Sequence, residues 1–233
     1  GKFDESNRPA FKWREGYNFP KEPKATMAGM ISHLDMLVGK VVDALKESGA
    51  ADNTLILFTS DNGGDKYTLA NPEFFEANGP FRGHKGDLYE GGVRVPGIAW
   101  WPGTIAPGTE SDHMWYSPDI LPTLADLAGA PTPDGLDGLS IAPLLTGAGT
   151  QERHRMLYWD MISDGGGQAA RMDDWKAVWP KPDAPVELYD LTKDPGETTD
   201  LAAAHADVVA LLRGAMESQH VPAPPQIEPG GYD

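Results

Sequence analysis

Lys85 stands on the glycine-dense stretch Gly83-His84-Lys85-Gly86-Asp87-Leu88-Tyr89, which runs on into Glu90-Gly91-Gly92-Val93-Arg94-Val95-Pro96. Twenty-four positions before that lysine, Asp61-Asn62-Gly63-Gly64 follows the apolar run 54–60. A carboxylate beside an amide carbonyl, without His or Cys, suits calcium or magnesium better than zinc. In open α/β sheets ligands gather outside the carboxyl ends of strands, where Asp61 and Asn62 fall. A lysine on a permissive loop adds a compact positive charge, and the two pieces together suit a tetrahedral oxyanion.

Each piece also has a plainer reading. Ser60-Asp61-Asn62-Gly63-Gly64 is a turn composition in which Asx side chains bond local backbone. A lysine between glycines is commonly a solvated loop residue. His84 could donate to an oxyanion or simply pack. Arg94 is read as a brace that pairs with Glu90. His33 and Asp35 fall within a helical stretch and read as capped or paired helix polar groups. His113, His154, His205 and His220 have no metal-ligand spacing.

At 233 residues the chain has room for one large domain, or a domain plus a smaller one. A net charge of −16 argues against nucleic-acid and anionic-membrane partners, which require a basic footprint. An anionic substrate would therefore need a local positive site, and a metal ion would supply one. No stretch approaches the roughly 20 apolar residues of a membrane span. With no cysteine, disulfides, zinc–thiolate sites and thiol nucleophiles are excluded within the chain. The opening Gly1-Lys2-Phe3 and the aperiodic first 25 residues give the expectation of a piece of a longer protein.

The elements that must position these residues are legible as periodicity. Met27, Met30, Ile31, Leu34, Leu37, Val38, Val41, Val42 and Leu45 follow the helical spacing of one buried stripe over 24–48, with Gly49 as a C-terminal cap. The run 54–60 reads as a strand covered on both faces, and 95–101 as a second strand. Helix, turn and buried strand make one unit of a layered α/β domain. Ser117-Pro118-Asp119 opens a helix that closes at Gly129. Beyond about residue 150 short strand candidates follow at 155–160, 168–172, 175–179 and 187–191, with turn residues such as 164–167 between them. An amphipathic helix over 205–218 and a Pro- and Gly-rich tail end the chain. The expected division is an α/β domain over 1–150 and a small α+β subdomain over 151–233.

Taken in order, these motifs resemble the type I sulfatases, close to the bacterial arylsulfatases. The resemblance is carried by Ser60-Asp-Asn-Gly-Gly64, Gly83-His-Lys-Gly86, Tyr89-Glu-Gly-Gly-Val-Arg-Val-Pro96 and Trp101-Pro-Gly103. It extends through Leu34-Asp-Met-Leu-Val-Gly39, Asp52-Asn-Thr54, Ser117-Pro-Asp-Ile-Leu-Pro-Thr123, Glu187-Leu-Tyr-Asp-Leu191 and Asp194-Pro-Gly-Glu-Thr198. The resemblance implies part of an α/β/α sandwich with a mixed sheet, followed by a small subdomain of antiparallel sheet and helix. It implies a calcium-dependent sulfuric ester hydrolase (magnesium the lesser expectation) with Asp61 and Asn62 as metal ligands. Lys85 would be catalytic and would bind sulfate, with His84 beside it. The formylglycine nucleophile and the remaining ligands are expected upstream, in an N-terminal part of the same protein. A sulfate-ester small molecule or a sulfated carbohydrate is the expected substrate, and a periplasmic or extracellular setting the expected place. Two alternatives stand beside this reading: a phosphonate or phosphodiester hydrolase of the same superfamily, and a non-catalytic carbohydrate-binding module derived from a sulfatase.

Overall fold

The computed structural model describes residues 21–66, 72–161 and 166–222. The tail beyond 222 and half of the turn read at 164–167 (residues 164 and 165) lie outside the described residues. In chain order the elements are α1 (Pro23–Glu47), β1 (Ile56–Thr59), α2 (Pro72–Phe75), α3 (Glu90–Val93), β2 (Gly97–Trp100), α4 (Ile120–Leu127) and α5 (Ala142–Thr146). They continue with β3 (Leu157–Asp160), β4 (Gln168–Met172), β5 (Trp175–Trp179), β6 (Glu187–Asp190) and α6 (Ala206–Gln219).

Helix α1 has the proline start and the glycine end that its sequence announces: Gly49 takes φ +73°, and its N–H returns to Lys46 O. Its apolar stripe, however, is not covered. Met30, Ile31, Leu34, Leu37 and Val41 are all exposed, and no residue of α1 is buried. The spacing predicts the stripe correctly; the cover it calls for is not found among the described residues.

β1 pairs antiparallel with β2, with Phe58 opposite Ile98. No parallel pair occurs among the described residues, so the α/β character is built from antiparallel sheets. β1 is half-buried along its length rather than enclosed. At the start of α4, Ser117–Asp119 forms a 3₁₀ turn, and Asp119 is the residue that caps it. Its Oδ2 accepts Tyr116 N–H at 3.0 Å and its Oδ1 accepts Leu139 N–H at 2.7 Å. Fully buried Thr123 donates to Asp119 O and accepts Ile141 N–H. The Ser-Pro-Asp…Thr motif thus ties 116–123 to 139–141.

β3–β6 form a four-stranded antiparallel meander. Side chains alternate between its faces. Ala170, Ala177 and Leu188 face Leu212 and Met216 of α6. Ala169, Val178 and Tyr189 face the other way, against Leu88 of the Lys85 loop. The sheet is therefore enclosed by a helix on one side and by the motif loop on the other. Alanines at its centre, fully buried, let both layers approach closely.

The turn after β6 is closed by Asp190, whose carboxylate accepts Thr192 Oγ1–H and Lys193 Nζ–H at 2.6 Å each. Hydrogen bonds from Lys193 and Thr192 hold its carboxyl down to about 2. A depressed folded-state value stabilises the fold above the unfolded value, near pH 4, and the contribution disappears as pH falls through about 2. Asp190→Asn should lower the melting temperature at pH 7, and the gap to the parent should close between about pH 4 and pH 2 when melting is followed against pH.

Candidate functional site

The loop after β1 is organised by its own side chains. Ser60 Oγ–H donates to Asn62 O, and Asn62 Nδ2–H donates to Gly63 O, each at 2.9 Å. The amide nitrogen of Asn62 is thereby engaged, and among the described residues nothing hydrogen-bonds its side-chain carbonyl oxygen. Asp61 is exposed, and among the described residues no cation pairs with it.

The second motif loop is bonded directly onto the first. Lys85 N–H donates to Gly64 O at 2.9 Å, and Gly63 N–H donates to Gly92 O at 2.9 Å. Asn78 completes the junction with every polar atom of its amide. Its Oδ1 accepts Gly64 N–H at 2.8 Å, and its Nδ2 donates to Gly83 O at 2.8 Å and to His84 Nδ1 at 3.1 Å. Nδ1 of His84 is then the ring's acceptor, and in the neutral imidazole Nε2 carries the proton. Asp87 closes the loop from below, its Oδ2 accepting His84 N–H at 2.8 Å. The sequence reading missed Asn78; the turn composition Asn78-Gly79-Pro80 was the signal available for it.

All four residues singled out from sequence lie on these two joined loops: Asp61 and Asn62 on one, His84 and Lys85 on the other. The approach is possible only without side chains. A Cβ on Gly63 would stand 1.8 Å from Gly91 O, and one on Gly92 would stand 2.1 Å from Asp87 O. Lys85 is exposed, and no carboxylate within ion-pairing distance neutralises it among the described residues.

Behind the loops lies a layer of buried charge. Arg94 Nη1 reaches Glu90 Oε2 at 3.4 Å, the pairing expected of it. Glu90 also meets Lys176 Nζ at 2.9 Å through Oε1, and Arg171 Nη1 lies 3.9 Å from its Oε2. Glu197 Oε1 lies 3.0 Å from Lys176 Nζ, an ion-pair contact outside hydrogen-bonding geometry. Burial pushes the Glu197 carboxyl up, against the pull of Lys176. Glu187 accepts the hydroxyls of Tyr89 at 2.8 Å and Tyr189 at 2.6 Å. Burial, then the bond to Glu187, pushes both phenols up. The guanidinium of Arg82 stacks 3.8 Å over the Tyr89 ring and donates to Tyr189 Oη. The motifs Glu187-Leu-Tyr-Asp-Leu191 and Asp194-Pro-Gly-Glu-Thr198 are therefore the far side of the loop's support. Lys176 carried a sequence signal of its own: a lysine on a strand between apolar neighbours, on the face that alternation buries.

The remaining histidines stand apart from this junction. His154 Nε2 bonds Asp119 Oδ1 at 2.8 Å, and His220 Nδ1 bonds Asp160 Oδ2 at 2.7 Å. Among the described residues no group of three or more His, Cys, Asp or Glu could hold a metal. Among the described residues, what this loop offers a cation is the exposed Asp61 carboxylate and Oδ1 of half-buried Asn62. That set fits a hard ion such as calcium if further oxygen ligands come from elsewhere. Because Gly63 has no room for a methyl group, Gly63→Ala should lower stability by about 1–3 kcal/mol or more, read as a drop in melting temperature.

Comparison with known proteins bears on the same segments. The family profile described as Sulfatase matches residues 3–130, and that described as N-sulphoglucosamine sulphohydrolase, C-terminal, matches residues 83–221. Arylsulfatase A of Homo sapiens is 36% identical over 211 residues, covering 78% of this chain and 41% of the relative. The crystal structure of Ps i-CgsB in complex with k-i-k-neocarrahexaose superposes with a TM-score of 0.74 at 32% identity, over 86% of this chain and 44% of that one. The phosphonate monoester hydrolase of Agrobacterium radiobacter follows with a TM-score of 0.63 at 29% identity, over 83% of this chain and 40% of that one. The chain thus spans about two-fifths of the length of the relatives it matches. Matched along most of its length by the two profiles, the chain belongs to the sulfatase family.

Proposed function

We propose that the whole protein is a calcium-dependent sulfuric ester hydrolase in which Asp61 and Asn62 supply two metal ligands and Lys85 binds the sulfuryl group. The observation that carries this reading is the Lys85 N–H bond to Gly64 O at 2.9 Å, which fixes the lysine's backbone to the metal-ligand loop. When bound, the ion supplies Lewis-acid charge for the sulfuryl oxygens. Lys85 supplies a permanent ammonium donor for the charge that develops on those oxygens as the ester breaks. His84, with Nδ1 accepting from Asn78, offers Nε2–H as a second donor on the same loop. Asn78 and Asp87 hold that loop still, so no reorganisation is needed when charge appears. The nucleophile, by the family likeness a formylglycine, lies outside this chain, as do the other ligands.

An aryl sulfate or a sulfated carbohydrate is the substrate class that the relatives support, one being an arylsulfatase and another a structure that holds a sugar. The likeness to a phosphonate monoester hydrolase supports a second reading, in which the same oxyanion cradle takes a phosphonate or phosphodiester. Steady-state assays of the whole protein on aryl sulfate, aryl phosphonate and phosphodiester decide between them, and a kcat/KM highest on phosphonate would overturn the first. Lys85→Ala should lower kcat/KM on aryl sulfate about 10²–10³-fold, as loss of one oxyanion donor does. Stripping the metal should abolish turnover, with calcium restoring it better than magnesium; unchanged activity after chelation would remove Asp61 and Asn62 from the metal site.

A further inference from the structure

One buried ammonium stands behind both loops of the candidate site, joined to them through Glu90. Lys176 Nζ lies 2.9 Å from Glu90 Oε1 and 3.0 Å from Glu197 Oε1, and none of the three side chains is more than 2% exposed. Glu197 Oε2 in turn accepts the Glu90 main-chain N–H at 2.6 Å. Glu90 is held by backbone and side chain together. From there the connection runs two ways along main chain. Gly91 N–H donates to Arg82 O at 2.7 Å, close before Lys85, and Gly92 O accepts Gly63 N–H at 2.9 Å, directly after Asn62. These are backbone bonds between tightly opposed chains, so a shift of Glu90 cannot be absorbed by a side-chain rotation.

Stability alone does not account for this arrangement. A buried ion pair is often matched or bettered by apolar side chains of the same volume. Here two carboxylates surround one ammonium, and burial opposes the charge on Glu197. Arg94 and Arg171 approach only Glu90 Oε2 and leave Oε1 to Lys176. What the pair supplies is a fixed geometry at Glu90, which an apolar contact would not.

We propose that Lys176 is a positioning residue for the candidate site: through Glu90 it sets the spacing between the Asp61–Asn62 loop and Lys85, touching neither substrate nor metal. The proposal rests on the sulfatase reading of that loop pair, and its test separates the two. In the whole protein, Lys176→Met is compared with the charge-compensated Lys176→Met/Glu197→Gln, and surface Arg213→Ala serves as the unaffected control. The single variant should melt lower, and the double should regain much of the loss. Both should show an aryl-sulfate kcat about 10–100-fold down with KM within about threefold. Both should also bind calcium about tenfold or more weakly when metal-stripped protein is titrated by calorimetry. Amide exchange at Gly63, Lys85 and Gly91 should quicken, while that at Val178 and Leu188 stays protected. A double variant with parental kcat, calcium affinity and exchange at those amides overturns the proposal. If the parent hydrolyses no sulfate ester, the functional reading falls and the exchange rates decide the proposal by themselves. Should both Lys176 variants fail to fold, Glu90→Gln keeps the volume, removes the charge on the ammonium's partner that leads to the loops, leaves Glu197 in place, and is read by the same measurements.

Discussion

Lys176, the second residue of β5, is the point on which the loops, the meander and the C-terminal motifs all converge. Its ammonium is shared by Glu90 and Glu197 in a space that excludes water. Desolvating three charged groups is expensive, and their mutual attraction repays it only when geometry and hydrogen bonding are good. Geometry is supplied from every side. Glu197 spends one oxygen on the Glu90 backbone, Glu90 spends its second oxygen on the arginines, and Trp159 lies near the ammonium. Removing one partner would strand charge in the interior, at a typical cost of about 3–5 kcal/mol. The sheet, the turn that carries Glu197 and the loop that carries Lys85 are for that reason one mechanical unit.

Small residues make the convergence possible. Gly63 and Gly92 allow two main chains to meet at hydrogen-bonding distance where any Cβ would collide. On the meander, Ala169 and Ala170 point to opposite faces and admit the loop on one side and α6 on the other. Leu88 packs against Ala169 and Val178 on the loop's side. The apolar layer gives the loop its depth, and the buried ion pairs give it its register. Hydrophobic contact is non-directional, whereas a paired and hydrogen-bonded charge accepts few placements.

Helix α1 stands in contrast. It has the proline start, the glycine end and the stripe of a core helix, yet Met30, Ile31 and Leu34 are at least half exposed. The chain spans about two-fifths of the length of its relatives, and the stripe is an apolar surface with no cover among the residues described.

The sequence by itself determined the longer helices, the strands and the motif residues, because these are local, while the short helices α2, α3 and α5 carried no periodicity to announce them. Periodicity located α1, β4, β5 and α6 to within a residue or two, and residue type marked Asp61 and Asn62 as candidate hard-ion ligands and Lys85 as a cation on a glycine loop. The pairing of Arg94 with Glu90 was legible for the same reason, since the two lie four apart. Tertiary structure alone decided what joins distant segments. Nothing local to Asn78 says that its amide would bridge Gly64 and His84. Nothing local to Lys176 says that its partners would be Glu90 and Glu197, which lie 86 positions before it and 21 after it. Ser117-Pro118-Asp119 opens the helix by residue type, but the buried Asp119 carboxylate is engaged by Tyr116 N–H, Leu139 N–H and the His154 ring rather than by an N–H of α4. Propensity and periodicity act over a few residues, whereas buried charge is satisfied by whatever partner the fold brings within about 3 Å.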